Sequence, residues 1–193
     1  MNRLFATLTI AAVCVCLTTA VQAQDEPAVS PEQMMEMMQK FATPGEHHEL
    51  LGGLVGEWKT EMSMMGMPPT EGTAEGKWIL GNRFLQMNYT GTMMGQEYEG
   101  MALYGYDNYK KKYTCSSIDS VSTDKKDSEG MLDQTGKVIN FYGTIDEYLT
   151  GEHDKPVKYV LNMTSEDEFT LEIHDLHIGE NSKVIGIKFT RVK

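Results

Sequence analysis

Seven aromatic residues and one arginine are the side chains of this sequence best suited to hold a small molecule. They are Trp58, Trp78, Tyr89, Tyr98, Tyr104, Tyr106 and Tyr113, with Arg83. Indole and phenol rings join an apolar body to a polar tip, which fits a small amphipathic or aromatic ligand in an enclosed site. The planar guanidinium of Arg83 could anchor a ligand carboxylate through two parallel hydrogen bonds. The competing expectation is that the same rings fill a small barrel and leave no cavity.

Methionine and histidine suggest a second chemistry. The chain holds 15 methionines, grouped at Met34-Met35-Met37-Met38, Met62-Met64-Met65-Met67 and Met93-Met94, with His47-His48 between the first two groups. Thioether and imidazole together suit copper(I), which makes Met34, Met38, His47 and His48 a candidate metal set. Against it, Met34, Met37, Met38 and Phe41 fall at helical spacing and read as a packing stripe. Adjacent histidines also cannot share one face of a helix. The expectation is no metal and no cofactor.

Enzymatic chemistry has raw material but no pattern. Asp107, Asp119, Asp146, Glu147, His153, His174 and His177 are available. No Ser-His-Asp order, His-Glu-x-x-His or glycine-rich phosphate loop organises them. His174 is opposite in parity to Phe169, Leu171 and Ile173, so it is expected to face solvent. Cys115 has no nearby histidine or helix start to activate it and is expected to be an inert packed thiol. The sequons at Asn88 and Asn162 fall inside expected strands.

The start of the chain bears on where these groups work. Arg3 precedes a nearly apolar run, 4–17, and Val21-Gln22-Ala23 fits a small-x-small cleavage site, so residues 1–23 read as a secretory signal peptide. The run is shorter than the roughly 20 residues a spanning helix needs, so no membrane insertion is expected after cleavage. Removing it takes Cys14, Cys16 and Arg3, leaving one cysteine and 16 basic against 28 acidic residues, a net charge of −12. A lone cysteine cannot form an internal disulfide, so the fold must rest on its core. The acidic balance speaks against nucleic acid and anionic lipid as partners.

The elements that must position the candidate residues follow from periodicity. Residues 24–44 form a polar leader and a Met-rich helix, with Ser30 as N-cap, Pro31 in the first turn and Gln33 supporting the cap. A second short helix is expected over 46–51, stopped by Gly52-Gly53. Alternation and turn residues then predict about ten strands, at 55–62, 73–80, 83–90, 97–106, 109–118, 127–133, 138–143, 157–163, 169–174 and 183–191. Leu80-Gly81-Asn82-Arg83 reads as a two-residue hairpin setting Trp78 opposite Leu85, Gly76 opposite Met87 and Ala74 opposite Tyr89. Asp107-Asn108 reads as another, with Tyr106 and Tyr109 flanking it, Tyr104 facing Lys111, Ala102 facing Tyr113 and Gly100 facing Cys115. The segment 144–156 is expected to be the longest connection in the strand region. Small residues opposite large ones on an aromatic face suggest the tapering inside of a barrel. The fold class is therefore all-β: an antiparallel up-and-down meander of about 8–10 strands, closed into a barrel over 45–193 and plugged by a preceding helix.

These strands also carry a resemblance. Gly45-Glu46-His47-His48-Glu49-Leu50-Leu51, with Leu54-Val55-Gly56-Glu57-Trp58 after it, resembles the opening of the bacterial domain-of-unknown-function family numbered fifteen seventy-nine. The stretch Glu71-Gly72-Thr73-Ala74-Glu75-Gly76-Lys77-Trp78-Ile79-Leu80-Gly81, then Arg83-Phe84-Leu85 and Gly105-Tyr106-Asp107-Asn108, match its pattern too. The resemblance implies a lipocalin-like (calycin-like) barrel, with Gly56-Glu57-Trp58 as the Gly-x-Trp of the first strand; the family has no settled activity, so no catalytic residues carry over. Two positions depart from the pattern: Asn82 replaces a frequent second glycine, and Ser117 stands where a tryptophan is expected. Together these readings point to a secreted or periplasmic barrel that binds a small, partly apolar ligand. A Met/His copper-binding protein and a barrel enzyme acting on a small organic substrate are the alternatives.

Overall fold

The computed structural model describes residues 29–148, 150–179 and 182–193; the expected signal peptide, 1–23, lies outside the described residues. Two helices, α1 (Pro31–Ala42) and α2 (Glu46–Leu51), and a 3₁₀ turn, Gly52–Leu54, precede ten strands. These are β1 (Gly56–Met64), β2 (Thr70–Ile79), β3 (Phe84–Met93), β4 (Gln96–Asp107), β5 (Lys112–Asp119), β6 (Lys126–Leu132), β7 (Val138–Glu147), β8 (Glu152–Ser165), β9 (Glu168–Asp175) and β10 (Lys183–Arg191). Each strand pairs antiparallel with its sequence neighbours, and β1 pairs with β10, so the sheet is a closed barrel. Closure satisfies the backbone groups an open edge would expose.

Alternation sorts the side chains. The β2–β3 register sets Trp78 against Leu85, Gly76 against Met87 and Ala74 against Tyr89, as the Gly81-Asn82 turn requires. Leu80, Gly81 and Asn82 all take positive φ there, the conformation that lets a tight hairpin follow the sheet's twist.

The second expected hairpin is different. Tyr106 pairs with Tyr113, Tyr104 with Cys115, Ala102 with Ser117 and Gly100 with Asp119. Asp107 Oδ1 accepts from the backbone N–H groups of Tyr109 and Lys110, and Lys111 takes a φ of 56° as its N–H donates to the Asp107 carbonyl at 2.7 Å. That aspartate-led turn uses 108–111 as its loop, where a two-residue turn was expected. Tyr109 is thereby carried out of the sheet and left exposed. The slip is even, so the inward parity of the tyrosines survives. The segment 144–156, expected as a long connection, is instead mostly ladder, with β7 and β8 paired as far as Glu147 against Glu152.

One barrel end is plugged by α2 and the 3₁₀ turn. Leu51 and Leu54 are fully buried against Trp58, Leu85, Met87, Phe169 and Phe189. Phe169 and Phe189 stack at 4.0 Å, and Trp58 meets Phe169 edge-on at 4.7 Å. Burying each such side chain contributes about 2–3 kcal/mol. The Leu54 carbonyl accepts from the Trp58 indole N–H at 3.0 Å. Arg191 lies over the Trp58 ring at 4.1 Å and donates to the carbonyls of Val55 at 2.7 Å and Gly53 at 3.0 Å. α1 does not share in the plug. Its capping box is present, yet it buries no residue, and Met34, Met37 and Met38, three of the four residues of the expected packing stripe, are exposed. It is tied down at its C-terminal end, where Asn108 Nδ2 donates to the carbonyls of Phe41 and Thr43 and Phe41 packs on Tyr109.

The plug needs a gap in the wall, and Gly76 supplies it: a Cβ there would stand 2.1 Å from the Leu54 carbonyl oxygen. Gly76→Ala is expected to lower stability by about 1–3 kcal/mol, the usual cost of overpacking. The urea unfolding midpoint would fall with an unchanged slope. An unchanged midpoint would show that the plug does not seat on the wall in solution.

Candidate functional site

The opposite end of the barrel is not filled. A cavity of about 340 Å³ lies inside it and opens where β1 turns to β2, β3 to β4, β5 to β6, β7 to β8 and β9 to β10. Its wall comes from inward positions of every strand: Met62 and Thr70, Tyr89 and Met93, Ala102 and Tyr104, Cys115 and Ser117, Ser128, Phe141, Tyr159, Leu171 and Ile187 among them. Thr60, Gly72, Gly91, Ala102, Ser117 and Ser128 stand level with the space, where the plugged end has Trp58, Leu85, Met87 and Phe189. Exposed apolar side chains rim the mouth on all five connections: Met65 and Met67, Met94, Val121, Tyr148, and Leu176 with Ile178.

The polar groups deep in this wall are neutral. Tyr89 and Tyr104 share a hydroxyl contact at 3.3 Å, and burial raises both phenols further above their ordinary value. Burial likewise pushes the Cys115 thiol up to about 12 and the Tyr159 phenol to about 12. None of these four groups ionises near neutral pH, so none is poised to exchange a proton with a bound molecule. At the mouth lies a charged network. Lys126 Nζ meets Asp119 Oδ2 at 3.1 Å, Asp124 Oδ1 at 3.0 Å and Ser122 Oγ at 3.2 Å. Tyr98 lies beside it, its phenol raised first by burial and then by the Asp119 charge.

The structure divides the expected ligand residues. Tyr89, Tyr98 and Tyr104 line the cavity. Trp58 is buried in the plugged end, and Trp78 is half-buried beside the plug. Tyr106 and Tyr113 face the plug: His47 stacks on Tyr106 at 4.1 Å, and its Nδ1 lies 3.0 Å from the Tyr113 hydroxyl. Arg83 sits in the β2–β3 turn at the plugged end, with Nη1 donating to the carbonyls of Leu80 and Gly81. A guanidinium so placed cannot reach a ligand in the cavity, because the plug and the Trp58 layer lie between. Of the candidate metal set, Met34 and Met38 are exposed on α1, while His48 is 5% exposed and its Nδ1 accepts from the Gly45 N–H at 3.2 Å. Among the described residues, no three His, Cys, Asp or Glu side chains are grouped to hold a metal ion.

Sequence reasoning missed two clusters. The Lys126 network falls in the polar connection between the strands expected at 109–118 and 127–133, and the spacing of Asp119, Ser122, Asp124 and Lys126 does not by itself show that they converge. On another part of the barrel, His174 Nδ1 lies 3.1 Å from Ser182 Oγ and its Nε2 lies 3.1 Å from Glu172 Oε2. That serine–histidine–glutamate order resembles a hydrolytic relay. Ser182, however, is only 7% exposed and is not among the residues lining the barrel cavity, so it offers no nucleophile to a molecule bound there.

The architecture is a closed antiparallel barrel of ten strands, packed at one end and hollow at the other. The chain belongs to the family of proteins of unknown function DUF1579, which matches residues 43–191 and so includes every stretch that carried the resemblance. Among solved structures, a redesigned β-barrel aligns with 12% identity and a TM-score of 0.41, covering 75% of this chain and 96% of that one. A second redesigned barrel, bound to DFHBI, aligns with 12% identity and a TM-score of 0.40 over 72% and 99%. The S-type phycobiliprotein lyase CPES from Guillardia theta aligns with 10% identity and a TM-score of 0.47 over 76% and 93%. No curated protein matches the sequence.

The plugged end makes stability depend on pH. Burial, with His47 and Arg83 nearby, lowers the His48 pKa below its ordinary 6.5, so the folded state holds the ring neutral. A lowered histidine pKa means the unfolded chain binds the extra proton first. The stabilisation is therefore complete above pH 6.5 and is lost as pH falls below that value. The urea midpoint is expected to drop between about pH 7 and about pH 5, and His48→Asn to flatten that slope. An equal slope in the variant would assign it to other groups.

Proposed function

We propose that this protein is exported through a cleaved N-terminal signal and carries one small, mainly apolar molecule in the barrel cavity without transforming it. The observation that carries the reading is the contrast between the two barrel ends. One is packed and clamped by Arg191, while the other keeps open space walled by methionine, aliphatic and aromatic side chains. A volume of about 340 Å³ falls in the range of roughly 300–1,000 Å³ usual for small-molecule sites. The tyrosine hydroxyls and the mouth network supply the few polar contacts that orient a ligand in such a site. The neutrality of Tyr89, Tyr104 and Cys115 supports retention over turnover. The apolar rim gives such a ligand a path to the mouth with little exposure to water.

Ser117 offers a direct test, because it lines the cavity where the family resemblance implies a tryptophan. Nile red titrated into the mature chain, 24–193, is expected to show saturable one-to-one binding. Ser117→Trp is expected to weaken it at least about tenfold, or roughly 1.4 kcal/mol, by occupying the space. The variant's thermal midpoint should stay within a few degrees of wild type. Absence of saturable binding to the folded wild-type protein would overturn the carrier reading. For export, N-terminal sequencing of the protein recovered outside the cytoplasm is expected to begin at Gln24. Recovery only as an intracellular chain beginning at Met1 would overturn that part.

A further inference from the structure

We propose that the cavity selects uncharged and cationic amphiphiles and rejects anionic ones, fatty acids included. This rests on the carrier reading above and adds the sign of the charge on the ligand. Among the described residues that line the cavity, Lys126 is the single cation, and Glu71 and Asp119 are the anions. An ammonium has three N–H donors and no more. Those of Lys126 are matched by Asp119 Oδ2, Asp124 Oδ1 and Ser122 Oγ, all within 3.2 Å.

The acceptors are fixed in turn. Asp119 Oδ1 accepts from the Val121 N–H at 3.1 Å, and the single hydrogen of the Ser122 hydroxyl is shared between Asp119 Oδ1 and Asp124 Oδ1. Asp124 Oδ1 also accepts from the Tyr148 hydroxyl at 3.3 Å. The side chains of Lys126, Asp119 and Asp124 are only 25%, 13% and 22% exposed, so the network is screened less than a surface ion pair. It holds one positive and two negative charges.

A ligand carboxylate reaching Lys126 would have to displace one of these bonds and then sit beside two like charges. Lys155, the other shielded lysine towards that end of the barrel, is outnumbered in the same way, by Asp175 at 2.7 Å, Glu152 at 3.6 Å and Glu147 at 3.8 Å. Built-in repulsion of this kind discriminates between ligands more sharply than added attraction. A neutral head group meets no such penalty and can bond to the serine, threonine and tyrosine hydroxyls. A cationic head group gains the net negative field of the mouth, and the rings of Tyr98 and Tyr148 offer it π faces.

The test holds the chain constant and varies the head group. Decylamine, decanol and decanoate are each titrated against Nile red bound to the mature protein near neutral pH. The amine and the alcohol are expected to compete well, with decanoate at least about tenfold weaker than decanol. Asp119→Asn removes one of the two repelling charges and leaves an amide oxygen that can still accept from Lys126. It is expected to narrow the decanol-to-decanoate ratio by about fivefold or more. Decanoate competing within about twofold of decanol on the wild-type protein would overturn the selectivity and leave the carrier reading standing. An unchanged ratio in Asp119→Asn would overturn the assignment to the Lys126 network. Failure of Nile red to bind at all would overturn both readings.

Discussion

Pairing of β1 with β10, from Trp58 opposite Arg191 to Met64 opposite Ile185, fixes the circumference of the molecule. Once it forms, ten strands share one ring and every other side chain is committed to the inside. Eight strands make an interior that ordinary side chains can fill, and diameter grows with strand number. Ten strands leave more volume than alternating residues of average size occupy. The chain resolves the excess differently at its two ends.

At one end the excess is taken up by Trp58, Phe169 and Phe189 and by backbone inserted from outside the sheet. The 3₁₀ turn enters over Gly76, and the carbonyls of Gly53, Leu54 and Val55 are met by the Trp58 indole and the Arg191 guanidinium. An irregular segment can sit in a barrel mouth only if its polar backbone is satisfied. Here the groups that satisfy it also pack the core. At the other end none of the described segments enters. Glycine, threonine and serine occupy the inward positions, and the leftover volume remains as the cavity.

Local signals made much of this visible in the sequence. Gly81-Asn82 fixed one hairpin register, alternation found all ten strands, and parity put the tyrosines inside. What the sequence could not display is which end of the barrel an inward residue occupies. Trp58, Trp78, Arg83, Tyr106 and Tyr113 share the inward character or the neighbourhood of Tyr89, Tyr98 and Tyr104, yet they lie at the plug. That depth depends on shear across strands far apart in the chain. The β4–β5 loop was misjudged for a local reason: Asp107 bonding to the N–H groups of Tyr109 and Lys110 lengthened a turn that Asp-Asn alone would have kept short. The Lys126 network escaped notice because a polar loop gives no sign that its first and last residues point into a barrel.

The placement of charge follows from the same geometry. Deep in the cavity a fixed charge would be costly to desolvate, and the polar groups there are phenols, a thiol and hydroxyls. At the mouth, partial contact with water lets Lys126 and two aspartates persist, provided each bonds to the others. Such a network adds little to stability, since the Coulombic gain is offset by desolvation of three ions. Its geometric consequence is larger: with all three ammonium donors engaged, Lys126 offers an approaching anion no free donor. A barrel that left Lys126 unpaired in the same wall would invite the carboxylate that this arrangement turns away. The carboxylates that surround Lys126, more than the lysine itself, therefore set the electrostatic character of the mouth.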